Sequence, residues 1–559
     1  MKDIKYYSQH MHMHSIYEPG ASMEGHIFHA RNAGQKYIWF TEHDVFWGNR
    51  VREKNSFDFE NGEIYVCDED GDSYGFFPTR EHTCGYAKAV SDDSYTGSYS
   101  MKIGASKGLS EKFSGYGVYT RDIFTRSLCR LVTMSFACKL AAKNRDNVRV
   151  IFDFALSERP PEQRKAHLLF VCGSAEGLSA PHTHVVPVDI SSNWSLMSLN
   201  ISDAASSKEA IMAGIGGMDN VLSFLTVRVE TRLGEEAELW LDDFSINCTS
   251  TPAQTHKRQA EIAAEIGKEY GVTPFVTAEI SAGMHKGCFT TDTPVFNYWT
   301  EGPFTTHIEA CRTMSERNLV FSINHPFVKL TKRKDKNNID YDAECRAVID
   351  EFAESNAYGA TLLEVGFPFG RYAPLWCHLK LWDELCLRGV ILTGYGATDS
   401  HMMTEGWYDG NNFANFIGID ASAEPSEKEF VSSMRKGLLY AANPFVIKGD
   451  VAFFADGGRK MGSVNKVSQN EKIRLFFSMS VANHNWRIDW IVNGECKKTE
   501  KLTRDGCFCE YELEASGGID FVRVEIYNNY GVLLLLSNPI YFTSDMKNIK
   551  NDISYRITE

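Results

Sequence analysis

Residues 8–15 read SQHMHMHS and set three histidines, His10, His12 and His14, on alternate positions. Alternate residues of a β-strand point to one face, so the spacing predicts a short strand with imidazoles lined along one side. Neutral imidazoles gathered in this way are the usual ligands of transition-metal ions. An expression tag is an unbroken run of histidine, whereas here Met11 and Met13 separate them.

Working outward, residues 22–44 predict a helix that runs into a strand. Met23, Ile27 and Ala30 fall at helical spacing, Gly34 stops the helix, and KYIWFTEHD follows with His43 and Asp44 at its C-terminal end. A strand and helix followed by another strand is the unit of a parallel α/β sheet or barrel, where chemistry collects at the carboxyl ends of strands. The texture then changes. From about Ser56 to Cys248 the chain is rich in Gly, Ser, Asp and aromatics, and alternating runs such as Val148, Val150, Phe152 and Phe154 predict an all-β jelly roll without helices.

Helical spacing returns with Pro252 and ends on Gly271, and four more helices are expected near 307–317, 341–354, 373–388 and 426–436. The last has the capping-box pair Ser426 and Glu429. From about Phe445 strict alternation resumes, as in Ile473, Leu475, Phe477 and Met479. The expected organisation is therefore an α/β body over 1–52 and 251–445, a β-sandwich inserted at 53–250, a small C-terminal β-sandwich at 446–545 and a loose tail at 546–559.

At 559 residues the chain exceeds one hydrophobic core. A net charge of −15 without a basic stripe argues against nucleic-acid partners. No apolar run is long enough to cross a membrane, and no basic and apolar leader opens the sequence. Fourteen scattered cysteines without paired spacing suit reduced thiols in a cytoplasm, and the sequons at Asn193 and Asn200 are discounted accordingly. Oligomeric state is left open.

Reading only the ends of the expected strands collects His12, His14, His43, Asp44, Glu279, His325, Glu364, Asp399 and His401. In a closed parallel sheet all would converge on one face. The pieces HMHS (12–15), TEHD (41–44), AEIS (278–281), NHP (324–326) and TDSH (398–401), in that order, resemble the polymerase-and-histidinol-phosphatase (PHP) superfamily of metal-dependent phosphoesterases. The resemblance covers about 1–50 and 252–445, and implies a distorted (β/α)7 barrel with two or three divalent ions, Zn, Mn or Fe. It implies one metal on His12, His14, Glu279 and Asp399, a second bridged by Glu279 and completed by His325, and a third near His43 and His401. His285, in SAGMHKG, and the segment SNPIYF at 537–542 resemble the branch with carbaryl-hydrolase-like members, which adds His285 to the second metal. The family's further ligand after the first motif is missing, with only Glu18 nearby.

The chemistry of these residue types agrees. A carboxylate has two oxygens with which to bridge cations, and paired cations lower the pKa of a shared water toward 7. The expected activity is hydrolysis of phosphate esters, sugar or glycan-like ones included, by a metal-bridging hydroxide, with His43, Asp399 and His401 as catalytic groups. Arg371 and Lys329, and in the same loops Lys332, are candidates to hold the phosphate. Glu364 is expected either to orient a ligand or to approach the metals. His10 lies one pair deeper on its strand, His26 and His29 read as packing or solvent contacts, and His307 as helical surface. Two other functions fit the same residues: a carbamate, ester or amide metallohydrolase, and a glycan-binding protein with a non-catalytic barrel. The latter draws on NWSLMSLNIS and AELWLDDFSI, which resemble closing strands of carbohydrate-binding jelly rolls.

Overall fold

The computed structural model describes residues 4–15, 21–43, 56–67, 73–106, 110–121, 126–281, 283–290, 306–332, 339–370, 372–408, 411–420, 425–447, 450–483, 485–502 and 507–557. Asp44, Glu18 and Arg371 lie outside the described residues, as does the side chain of Lys332.

The α/β body comprises β1 (Ile4–Met13), α1 (Met23–Asn32), β2 (Tyr37–His43), α2 (Pro252–Tyr270), β3 (Thr273–Ile280), β4 (Lys286–Phe289), α3 (His307–Glu316), β5 (Val320–Ile323), α4 (Tyr341–Glu354), β6 (Leu362–Gly366), α5 (Leu375–Leu387), β7 (Thr393–Gly396), β8 (Ala414–Asp420), α6 (Glu427–Lys436) and β9 (Leu439–Ala442). Helix boundaries follow the expected signals. Thr251 and Gln254 form a capping box ahead of α2, which ends on Gly271 in the left-handed region at φ 70°. Ser426 and Glu429 do the same for α6, with Gly437 at φ 71°.

In the sheet, β1, β2 and β3 are parallel neighbours, and so are β5, β6 and β7. Between the two triplets β4 runs antiparallel to both β3 and β5. That departs from the all-parallel expectation, and the cause is local. Only residues 281–285 join β3 to β4, too few for the crossover that parallel neighbours require. The segment after β7 returns to β1: Met13 and Ser400 form a parallel bridge, His14 N donates to Ser400 O at 2.9 Å, and Thr398 Oγ1 donates to His12 O at 3.1 Å. The row of strands thus curls back onto its first member and brings distant strand ends together.

The insertion is a two-layered β structure, one sheet of seven strands and one of six. Inward residues such as Phe136, Phe152 and Phe244 pack with ring centroids 4.9 and 5.0 Å apart. Two short helices, Ile201–Ala205 and Lys208–Met212, correct the helix-free expectation. Five residues are too few to show a 3.6-residue period, but Asn200 and Ser207 cap them with side-chain acceptors.

The C-terminal strands do not form a detached module. Leu533–Ser537 pairs antiparallel with β9, so one 15-stranded sheet runs from the body into the C-terminal region. The tail is also less loose than expected. Lys550 N donates to Gly389 O at 2.8 Å, Asn551 Nδ2 donates to Ile391 O at 2.7 Å, and Ile553 and Arg556 are buried. Its few apolar side chains gave no periodic signal because the tail is held by backbone and amide contacts. Among the described residues no helix is long and apolar enough to cross a membrane.

Candidate metal centre

The β1 histidines stand at the strand's C-terminal end, on the face turned into the curl. His12 and His14 are buried, and their Nε2 atoms lie 3.1 Å apart. Around them gather Glu279 from the end of β3, His43 from the end of β2, His325 after β5, and Asp399 and His401 after β7. His285 enters from the turn between β3 and β4. Every described residue expected as a metal ligand therefore reaches one cluster.

Two carboxylates organise it. Glu279 Oε1 lies 3.2 Å from His12 Nε2 and 3.1 Å from His325 Nε2, while its Oε2 lies 2.9 Å from His43 Nδ1 and 3.0 Å from His285 Nδ1. Asp399 Oδ1 lies 3.2 Å from His14 Nε2, 3.5 Å from His12 Nε2 and 3.6 Å from His401 Nδ1. Four overlapping groups of donors result: His12, His14 and Glu279; His12, His325 and Asp399; His43, Glu279 and His285; His14, His43 and His401.

These donors fit divalent cations on two grounds. Tetrahedral ligands about 2.0–2.1 Å from a zinc-sized ion stand about 3.3 Å from one another, which is the spacing seen here. Further, Glu279 Oε2 is buried with no hydrogen-bond partner, although two imidazole nitrogens approach it closely. Lone pairs that converge without hydrogen-bond geometry are what a shared cation would satisfy. The electrostatics agree. Burial opposes charge on His12, yet Glu364, Glu279 and Asp399 together push its pKa up to about 10. Burial likewise opposes charge on His325, and Asp399, Glu364 and Glu279 hold it well above the usual histidine range. Burial and the neighbouring His43 hold His14 well below that range. Three buried carboxylates thus draw positive charge into a site that protons serve only in part.

The contacts behind the cluster are specific. Glu364 is no member of the four donor groups. Its Oε1 accepts from His12 Nδ1 and from Tyr395 OH at 3.0 Å, and its Oε2 accepts from His325 Nδ1 at 3.1 Å and His325 N at 2.6 Å. One carboxylate therefore turns the Nε2 atoms of both imidazoles toward the cluster. Asn324 Nδ2 donates to Glu279 Oε1 at 2.7 Å, and His43 Nδ1 meets Ser281 Oγ at 2.9 Å. His325 and Asp399 themselves occupy the left-handed region, at φ 33° and 49°. Non-glycine residues rarely adopt such conformations, and here two of them stand at the ends of β5 and β7, either side of β6.

The other histidines divide clearly. His10 Nε2 donates to Asn412 Oδ1 at 3.0 Å and its ring meets Trp407; burial pushes its pKa down to about 4, so it is a neutral core residue outside the cluster. His26 packs behind the centre, donating from Nε2 to His14 O at 3.0 Å and accepting from Trp407 Nε1 at 3.0 Å. His29 Nδ1 meets Tyr408 OH at 2.7 Å. His307, expected on the helical surface, is instead partly buried with its ring 5.1 Å from Tyr358. Lys329 is exposed on the turn Val328–Lys332 that follows His325. Tyr372, Tyr395 and Ser281 escaped sequence reading, because lone hydroxyl residues carry no spacing that marks them.

No family model matches the chain, and no curated protein matches it. Among solved structures, it is similar to the xylan-binding domain CBM22-1 of Xyn10C from Paenibacillus barcinonensis, at 13% identity and a TM-score of 0.20, covering 36% of this chain and 99% of that one. It is also similar to the Cel12A catalytic domain from Humicola grisea, at 14% identity and a TM-score of 0.23, covering 33% and 98%. At 16% and 90% coverage, the fibronectin(III)-like modules of Clostridium thermocellum CbhA reach 20% identity and a TM-score of 0.12. At these TM-scores the likeness carries no argument about this chain.

Proposed function

We propose that this chain is a divalent-metal-dependent hydrolase of phosphate esters, with the α/β body as a distorted barrel of the PHP superfamily. One observation carries the reading: His12, His14, His43, Glu279, His285, His325, Asp399 and His401, from five strand ends and one turn, meet around two buried carboxylates. Zn, Mn or Fe are the ions that mixed imidazole and carboxylate donors suit. Lewis acidity toward a phosphoryl oxygen and acidification of a water are the chemistry such ions supply when bound.

The chain's own residues do the rest. Glu279 faces imidazoles with both oxygens and so holds the two halves of the site at a fixed separation. Glu364 keeps His12 and His325 presenting Nε2. His43, His285 and His401 are the partly exposed members, which places the opening of the site on their side. Substrate enters there, where His43 and His401 line the partly exposed side of the cluster. Lys329, exposed after His325, is the described cation assigned to the substrate phosphate. The scatter of fourteen cysteines without paired spacing is read with a reducing, cytoplasmic setting.

The test is a panel of p-nitrophenyl phosphates, esters and carbamates, assayed on metal-stripped protein reloaded with Zn, Mn or Fe. Phosphate release that disappears in Asp399→Ala is expected. Turnover of esters or carbamates alone would replace phosphorus with carbon as the site of attack. No turnover with any metal, together with glycan binding unchanged in Asp399→Ala, would overturn the enzyme reading.

A further inference from the structure

We infer that Tyr372 is a positioning residue for the metal centre, holding Asp399 to a single ligating oxygen; the inference rests on reading the cluster as a metal site. The two oxygens of Asp399 have separate surroundings. Oδ1 faces the Nε2 atoms of His12 and His14 at 3.5 and 3.2 Å. Oδ2 accepts the Tyr372 hydroxyl at 2.7 Å and stands 3.8 Å from His325 Nδ1. A carboxylate whose second oxygen is engaged by a phenol presents one lone-pair direction to a cation instead of two.

The backbone points the same way. Tyr372 sits at φ 66°, in the left-handed region that a bulky side chain rarely adopts. Asp399, its partner, is left-handed as well, at φ 49°. Both residues of one hydrogen bond are thus held in costly conformations on separate loops, one before α5 and one after β7. The Tyr372 ring also lies 5.3 Å from the His325 ring, tilted by 54°. A single side chain therefore touches the carboxylate of one donor group and the imidazole it shares with His12.

Held in this way, Asp399 would offer a bound cation one oxygen, as a centre that keeps positions for a water and a substrate oxygen requires. The tyrosine acts through Asp399, so its removal is read at the metal before it is read in turnover.

The experiment compares wild type, Tyr372→Phe and Tyr372→Gly by calorimetric zinc titration of the metal-stripped chain and by the visible spectrum after cobalt loading. Tyr372→Phe keeps the ring and loses the hydroxyl, while glycine accepts positive φ without strain and so guards against a folding defect. Both variants are expected to bind zinc about 10–100-fold more weakly. Their cobalt d–d bands are expected to lose intensity as Asp399 becomes bidentate and the coordination number rises. Wild-type affinity and an unchanged cobalt spectrum in both variants would overturn the role of Tyr372 while leaving the metal centre intact. Failure of the wild-type chain itself to take up zinc or cobalt would overturn the metal reading and this inference with it.

Discussion

At the scale of single residues, the cluster depends on how imidazoles are aimed. Glu364 accepts from His12 Nδ1 and His325 Nδ1 at once, so its loss frees two rings together. Glu364→Gln retains volume but replaces one acceptor oxygen with a donor; zinc affinity is expected to fall about 10–100-fold in a chelator competition, with little change in the unfolding midpoint. Charge on the same rings sets a pH dependence. Burial opposes protonation of His12, but Glu364, Glu279 and Asp399 outweigh it and push the metal-free pKa up to about 10. Below that value the ring carries a proton that a cation must displace, so affinity rises with pH through the neutral range. Calorimetry in buffers of different ionisation enthalpy should record release of about one proton or more per chain on metal uptake; heats independent of buffer would contradict it. Of these residues the sequence made the ligands visible, because histidines and carboxylates recur at strand ends. Tyr372 and Tyr395 stayed invisible because their roles depend on which loops meet, and the position of Glu364 alone left ligand and orienter open.

Among elements, α1 links the insertion to β1, the strand that carries His12. Asp219, from the insertion, accepts from Met23 N at 2.8 Å and Glu24 N at 3.0 Å, supplementing the Ser22 cap. Arg159 donates from Nη1 to Asp219 Oδ2 at 2.9 Å and Glu24 Oε2 at 3.2 Å, and from Nη2 to Asp219 O. The same helix carries His26, which braces the carbonyl of His14. Asp219→Ala strips two helix N–H groups of an acceptor and leaves the buried Arg159 without its main carboxylate. A loss of about 3–5 kcal/mol is expected from chemical denaturation; a change under 1 kcal/mol would show that the insertion rests on α1 without supporting it. Helix limits were legible from caps and glycines, as at Thr251, Gly271, Ser426 and Gly437. The reversed direction of β4 was not, since its four residues, KGCF, are too few to show a period or a partner. Nor was the docking of Asp219, a contact between residues 196 positions apart.

Over the whole molecule, the body and the C-terminal strands share a sheet through β9, and a buried ion cluster pins them from another side. Arg523 donates to Asp383 of α5 from Nε at 3.1 Å and from Nη2 at 2.8 Å, and from Nη1 to Glu525. All three are buried, so Arg523→Ala leaves two carboxylates without a counter-charge and should cost about 3–5 kcal/mol. Wild-type unfolding should show these regions melting together, and the variant should move both transitions; a shift confined to the C-terminal strands would deny the coupling. Sequence alternation separated the β-rich C-terminal region from the body, yet it could not show that their sheets are continuous, because pairing leaves no mark on either strand alone. What unites the scales is the claim that Glu279 and its imidazoles hold divalent ions. The direct measurement is calorimetric titration of zinc and manganese into metal-stripped wild type and Glu279→Ala. The account predicts about two equivalents bound by wild type and loss of tight binding in the variant; no saturable uptake by wild type, or equal uptake by both chains, would contradict it.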